Sequence, residues 1–437
     1  MQTVSRQSLQ SVFEIWGTVT EIAAGEVKLA GVSSFARVGD EIRIASGEDE
    51  TLGEVLRVTE AEATALLYET GSAVTIGDRA YVHSDAAVRA NESWLGKIVN
   101  HRGEITGASV QQKTTKQAQP LYTKALPAHQ RRGLGTRLST GLMATDTLMP
   151  ICRGQRVGLF AGSGVGKSTL LTHLGKTVEA DRVVIGLIGE RSREVNEFAR
   201  RIFEDAKDKT VIVAATASES PGAKKRAAYC AMATAEYFRD QGHHTLLLFD
   251  SLTRFAEAHR EIALMAGEAP AINAFPPSTI RVISELVERA GPGNEATSDI
   301  TAIFSVLVAG SDMEEPLADM IRGILDGHLI LSREIAERGR YPALDAMKSV
   351  SRALPAAATD EQNQLIRDCR HLISMYDEVA PMLRANLYEF GRDQITDRAI
   401  HLFHALDTFI GAKNAGSVED GFDELAAILN GAPANAD

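Results

Sequence analysis

The sequence predicts an α/β protein whose parallel-sheet domain follows a small all-β unit and precedes a helical one. Three observations carry that reading. Short strand-like runs broken by Gly and Asp fill residues 14–90. From about 150, near-continuous apolar runs alternate with amphipathic helical patterns. After Pro355 the strand patterns stop. At 437 residues the chain exceeds one ordinary core and should divide into two or three domains.

In the first unit, "GTVTEI", "EVKLAGV", "DEIRIA", "LGEVLRVTEAEATALLY" and "DRAYVH" are separated by turn residues at short intervals. That spacing predicts a small β-barrel or sandwich. The polar stretch "TGASVQQKTTKQAQPLYTKALPAHQRRG" is long for a loop. It is either a linker or an extended segment lying on the next domain.

The second unit opens with the strand "RVGLF" and a Gly-rich loop. "STLLTHLGKTV" then sets Leu170, Leu171, Leu174 and Val178 on one helical face. "DRVVIGLIGE", "TVIVAATA", "HTLLLFD" and "DITAIFSVLV" read as strands buried on both faces. Helical patterns fill the gaps, which gives a parallel sheet with helices on both sides. In "EEPLADMIRGILDG", Pro316 falls in a first helical turn and Gly327 just past the helix end. The rest, from "QNQLIRDCRHLISMYDEV" to "VEDGFDELAAILN", reads as helices. The expected units are residues 1–90, 91–354 and 355–437.

Composition narrows the functional classes. The formal charge is −12 and the pI about 5.5, against sequence-blind nucleic-acid binding, which needs basic surface. Cys152, Cys230 and Cys369 lie far apart, with no CxxC and no His at ligand spacing. They suit a reduced, cytosolic chain without disulfides or structural zinc. No apolar run reaches the roughly 18 residues of a membrane span. The N-terminus lacks the apolar core of a signal peptide. Its Leu9, Val12 and Phe13 fall near one helical face, as in a partner-binding helix.

The chemistry concentrates in "GLFAGSGVGKSTLL", residues 158–171. The phosphate-loop pattern G-x-x-x-x-G-K-[ST] is met at Gly166, Lys167 and Ser168, with Ala161 at the first glycine position. Gly162, Ser163, Gly164, Val165 and Gly166 supply a loop able to turn its N–H groups, through Thr169, onto a polyphosphate at a helix N-terminus. Lys167 is suited to the β- and γ-phosphates, and the Ser168 hydroxyl to Mg²⁺. Asp250 ends a buried strand and is the second candidate for the metal. Glu190 also ends a buried strand, at the edge where such sheets bind ligands, and is the candidate general base.

"GQRVGLFAGSGVGKSTLL", "GERSREVNEF", "LLLFDSLTRFAEAHREI", "FPPS", "ELVERAG", "LADMIRGILDGHLILSREIAERGRYPALD" and "SVSR" occur in this order. Together they resemble the ATPases of type III protein export, the flagellar branch most of all, relatives of the rotary ATP synthase catalytic subunit. The resemblance implies an N-terminal β-barrel, a RecA-like P-loop domain and a C-terminal helical domain. It implies ATP hydrolysis with Mg²⁺, coupled to export of flagellar proteins. It places Glu190 on the catalytic glutamate, Arg191 and Arg254 near the γ-phosphate, and Tyr341 against the adenine, with Phe390 a candidate for its other side. Arg352 falls on an arginine finger that acts in the neighbouring subunit, hence a homo-hexameric ring. Further implied partners are a stator-like regulator at the N-terminal segment, a central coiled coil in the pore, the export gate and chaperone–cargo complexes. Asp312, Glu314 and Glu315 are candidate pore contacts. The expected location is cytoplasmic, at the inner-membrane export apparatus, with membrane association through partners. "WLGKIVNHRGEITG" departs from the family's pattern. The alternatives are an injectisome ATPase, a rotary synthase subunit, an RNA translocase, or a ring subunit that binds nucleotide without hydrolysing it.

Overall fold

The structure, a computed structural model, describes residues 15–23, 25–47, 49–69, 73–83, 86–107, 118–269, 275–308 and 313–431. Leu9, Val12, Phe13 and Asp312 lie outside the described residues.

Strands β1 (Trp16–Ala23), β2 (Glu26–Ala30), β3 (Glu41–Ser46), β4 (Asp49–Val58), β5 (Glu62–Leu67) and β6 (Arg79–His83) form a closed antiparallel barrel in the order β1-β2-β5-β4-β3-β6. Alternation dictates its core: Val27 and Leu29 on β2 and Ile42 and Ile44 on β3 point inward among Val19, Val55 and Ala65. The long run around Thr59 is two strands. Thr59 turns the chain by donating from its N–H and Oγ1 to the Glu62 carbonyl, at 2.9 and 3.0 Å. Gly53 is required for closure, since a Cβ there would stand 2.4 Å from the Leu66 carbonyl oxygen.

The second layer system is a sheet of β8 (Lys97–Val99), β10 (Arg156–Ala161), β11 (Arg182–Glu190), β12 (Thr210–Thr216), β13 (Thr245–Asp250), β14 (Ile300–Leu307), β15 (Gly327–Leu331) and β16 (Val350–Ser351). Its order is β16-β15-β10-β14-β13-β11-β12-β8, parallel throughout except for β16. A short antiparallel ribbon pairs β7 (Ala87–Val88) with β9 (Gln119–Pro120), the two flanking β8 in the chain. Helices α1 (Lys167–Thr177) and α2 (Ser192–Phe203) share one apolar core with the C-terminal helices α7 (Asp360–Arg384), α8 (Gln394–Gly411) and α9 (Val418–Leu429). Helices α3 (Pro221–Asp240), α4 (Leu252–Met265), α5 (Ser278–Glu288) and α6 (Pro316–Ile324) belong to a second core. Leu170, Leu171, Leu174 and Val178 are all buried, as their spacing predicts. The three cysteines are free and buried. Among the described residues no helix is long and apolar enough to cross a membrane.

Three strands go beyond the sequence reading. β8, drawn from "WLGKIVNHRGE", pairs with β12 and extends the sheet. β15 and β16 are too short to show a period. Gly327 does not cap the preceding helix, which ends at Ile324; it opens β15. A Cβ at Gly327 would lie 2.6 Å from the Val350 carbonyl oxygen, so glycine is what admits β16.

The described part of the polar stretch is a strap on the sheet domain, not a free linker. Leu121 is buried, and its carbonyl accepts from Arg289 Nη1 at 2.6 Å. Arg131 donates to the Ala290 carbonyl at 2.8 Å. Arg289 is itself buried against Glu236, with Nε to Oε1 at 3.0 Å. Removing one partner of a buried ion pair leaves a charge uncompensated. Glu236→Ala is therefore expected to lose about 3 kcal/mol in urea unfolding and to loosen the strap to proteolysis, with Glu236→Gln losing less.

Candidate active site

The loop follows β10 directly, so its position is fixed by a central strand. Gly164 (φ 79°) and Gly166 (φ 94°) hold left-handed backbone, which turns successive N–H groups to one side. Val165 between them is buried and anchors the loop to the core. Helix α1 begins at Lys167 with Gly166 as its cap. No side chain caps this terminus, so its first N–H groups are left for a ligand.

Lys167 reaches from α1 across the C-terminal edge of the sheet. Its Nζ donates to Asp250 Oδ1 at the end of β13, and to Glu190 Oε1 at the end of β11 at 3.4 Å. Ser305 on β14 lies on the way and donates to the same Asp250 oxygen at 2.6 Å. Glu190 owes its direction to a slip in register. β11 and β12 pair regularly to Ile188, then shift before Glu190, with Gly189 at φ 75°. The stem of Arg254 lies against Gly189, where an added Cβ would be 3.0 Å away. Burial drives the Glu190 carboxyl up to about 7, with Asp250 and Glu194 adding to the rise and the Lys167 charge opposing it.

A cavity of about 160 Å³ opens beside these groups, lined by Ser168, Asp250, Glu190, Glu194 and the apolar Leu187 and Phe198 among others. Ser168 and Asp250 thus offer a hydroxyl and a carboxylate to one space. That oxygen donor set fits Mg²⁺, which keeps several waters and takes few protein ligands. Among the described residues no group of three or more His, Cys, Asp and Glu forms a dedicated metal cage.

The other expected residues occupy three places. The Tyr341 ring lies beside the loop, its Cδ1 3.5 Å from where a Gly166 Cβ would stand, and the residue is 56% exposed, leaving a face free for a base. Arg254 pairs with Glu257 at 2.8 Å and sits in the field of Glu190 and Asp250. Arg191 is 83% exposed and pairs with Glu194 at 3.1 Å. Arg352 stands at the opposite end of the sheet: it follows β16, and its N–H donates to the Asp326 carbonyl at 3.1 Å. Five residues of β15 separate that level from Leu331 beside the loop strand, roughly 16 Å. Phe390 is exposed near Tyr388, with ring centroids 5.2 Å apart. Glu314 and Glu315 lie just before α6. Arg333 was not singled out by sequence; its Nη2 reaches the Ser163 carbonyl at 3.4 Å and braces the loop tip. No local pattern marks that contact, which joins the ends of two neighbouring strands, β15 and β10, far apart in the chain.

Comparison with known proteins agrees with this geometry. Residues 141–351 match the ATP synthase alpha/beta family, nucleotide-binding domain, and residues 358–426 match the T3SS EscN ATPase C-terminal domain. The flagellum-specific ATP synthase of Caulobacter vibrioides is 39% identical over 95% of this chain and 96% of its own. The type 3 secretion system ATPase of Pseudomonas syringae pv. syringae is 36% identical over 87% of this chain and 88% of its own. The assembled ATPase EscN of the enteropathogenic E. coli type III secretion system superposes with a TM-score of 0.87 at 33% identity, covering 94% of this chain and all of that one. EscN in complex with its central stalk EscO gives 0.85.

The Glu190 shift has a stability consequence. Its folded value of about 7 exceeds the ordinary 4.5, so the folded state holds a proton that the unfolded chain releases in between. The stability this contributes is present below about pH 4.5 and is lost as pH rises through about 7. Glu190→Gln escapes that loss. In nucleotide-free, chelator-treated protein its melting-temperature advantage over wild type is expected to be larger at about pH 8.5 than at about pH 5.5. An equal difference at both pH values refutes the raised carboxyl.

Proposed function

The chain belongs to the family of flagellum-specific ATP synthases and type 3 secretion system ATPases, and from that premise we propose that it hydrolyses Mg·ATP at the Lys167 loop to assist export of flagellar proteins. The observation that carries the reading is the Lys167 ammonium between Asp250 and Glu190, beside a loop with left-handed Gly164 and Gly166 and a helix terminus without a side-chain cap.

Each residue then has a role. Lys167 turns from its carboxylates to the β- and γ-phosphates, and loop N–H groups from Gly162 to Thr169 hold the polyphosphate. Ser168 and Asp250 hold Mg²⁺, which when bound neutralises phosphate charge. Glu190 orients the attacking water and accepts its proton, for which a value near neutrality is suited. Arg254 adds positive charge at the same edge, and Arg191 reaches the phosphates by giving up its exposed partner Glu194. Tyr341 stacks on the adenine. Arg352 cannot reach its own loop across roughly 16 Å. It serves the neighbouring active site, and the working unit is a homo-hexameric ring. The ring acts at the cytoplasmic face of the inner membrane, with a coiled-coil partner in its pore; the related EscN forms a complex with a central stalk, EscO. The N-terminal segment takes a regulator, and chaperone–cargo complexes and the export gate are the remaining partners. The flagellar assignment is supported by the 39% identity to the Caulobacter vibrioides relative, against 36% to the Pseudomonas syringae one.

Lys167→Ala is expected to abolish turnover and weaken nucleotide binding. Glu190→Gln is expected to keep Mg·ATP affinity and lose about 10²–10⁴ in kcat, and to leave a strain lacking the native gene non-motile where the wild-type gene restores swimming. Arg352→Ala and Glu190→Gln, each inactive alone, are expected to regain partial activity when mixed, because some interfaces then join an intact base to an intact finger. Mixtures that stay inactive while forming rings contradict action in trans.

A further inference from the structure

Glu190 ends its strand, so its backbone is positioned by what lies beside it. In register it faces Thr216, the last residue of β12, and its carbonyl accepts from the Ala217 N–H at 2.9 Å. The turn from Thr216 to Ser220 is therefore the neighbour that sets where the carboxylate stands. That turn is closed by Glu219. One carboxylate oxygen, Oε1, accepts from the Thr216 N–H at 2.6 Å and from Thr216 Oγ1 at 3.1 Å. The other, Oε2, faces His101 Nδ1 at 3.3 Å.

His101 follows β8, in the segment that departs from the family pattern. It is buried, its ring edge-on to Tyr68 with centroids 5.9 Å apart, and its carbonyl accepts from Arg226 Nε at 3.1 Å. Tyr68 belongs to the barrel end, and its own carbonyl accepts from Ser220 Oγ at 2.5 Å. Arg226 also pairs with Glu41 on β3. The turn beside Glu190 is thus tied to the barrel and to the β8 edge through side chains that touch no part of the phosphate site.

We propose that Glu219 is a positioning residue for Glu190, held in place by His101, so that the seating of the barrel on the sheet domain sets the aim of the catalytic carboxylate. The proposal rests on the reading of Glu190 as general base. Shifts of about 1 Å at a reacting group can cost on the order of a hundredfold in rate, so loss of the tie acts on turnover and leaves nucleotide binding alone.

The test is steady-state and single-turnover ATP hydrolysis by full-length Glu219→Ala, Glu219→Gln and His101→Ala, with equilibrium binding of a fluorescent ATP analogue and melting temperatures measured alongside. Glu219→Ala is expected to lose about 10–100-fold in kcat with KM and analogue affinity within about twofold of wild type. Glu219→Gln recovers most of the rate, because its carboxamide oxygen still accepts from the Thr216 N–H. His101→Ala, which keeps the Thr216 contact, loses several-fold in kcat and stands in if Glu219→Ala is insoluble. In the Glu190→Gln background, adding Glu219→Ala produces no further loss. Unchanged kcat in Glu219→Ala or in His101→Ala overturns the proposal, as does an equal further loss without Glu190, or a loss confined to KM. Wild-type hydrolysis by Glu190→Gln alone removes the base reading instead, and is read separately.

Discussion

One ammonium held by two carboxylates at the C-terminal edge of the sheet is the interaction on which the site depends. A buried lysine is tolerated only with compensating charge, and Lys167 has it from Asp250 and Glu190. The reverse does not hold. Two acids face one base, and the surplus negative charge adds to burial in lifting Glu190 to about 7. In the proposed reaction a polyphosphate arriving at the loop draws Lys167 away, which deepens the deficit of positive charge at Asp250. On the proposed reading anion and cation arrive together, with the oxygen donors at Ser168 and Asp250 taking the second.

The sheet explains why these groups meet. Parallel strands put all their C-terminal ends on one side, so the loop after β10, Asp250 at the end of β13 and Glu190 at the end of β11 share an edge although 83 residues separate Lys167 from Asp250. Strand order leaves β14 between β10 and β13, and a small hydroxyl, Ser305, occupies the crossing point. A larger apolar side chain there would obstruct Lys167 and strip Asp250 of a donor. Tyr341 and Arg333 arrive from the segment beyond β15, on the other side of β10, and approach the loop from its open flank.

Much of this was legible in the sequence, for physical reasons that differ by residue. Gly166, Lys167 and Ser168 lie within one turn of chain, so local spacing alone marks them as a candidate phosphate site. The places of Asp250 and Glu190 at the sheet edge are legible because continuous apolar runs mark buried strands and each carboxylate closes such a run. The helical stripe at Leu170, Leu171 and Leu174 is legible by period. β8, β15 and β16 were not, since two to five residues carry no period and their pairing is decided by tertiary partners. Gly189, Arg333 and Glu219 were invisible for a related reason. Their value lies in contacts with Arg254, Ser163 and His101, none of them predictable from neighbours in the chain.

The junction between barrel and sheet domain uses charge where an apolar contact would be simpler. Arg226 with Glu41, and Lys225 with Glu54, are buried or nearly so, and Tyr122 donates to Glu54 at 2.8 Å. Such pairs contribute little net stability, because desolvation consumes most of the attraction. They differ from an apolar face in tolerance: oil slides on oil at small cost, whereas a buried ion pair displaced by an ångström or two leaves charges unpaired in a low dielectric. The junction is therefore stiff in register. The turn carrying Glu219 and Ser220 leaves this stiff region and runs directly to the Glu190 carbonyl. The strand end that carries Glu190 is thereby tied to the barrel through backbone and ion-pair contacts as well as to the apolar core beneath the sheet, and the tie comes from a direction that leaves the cavity beside Ser168 open.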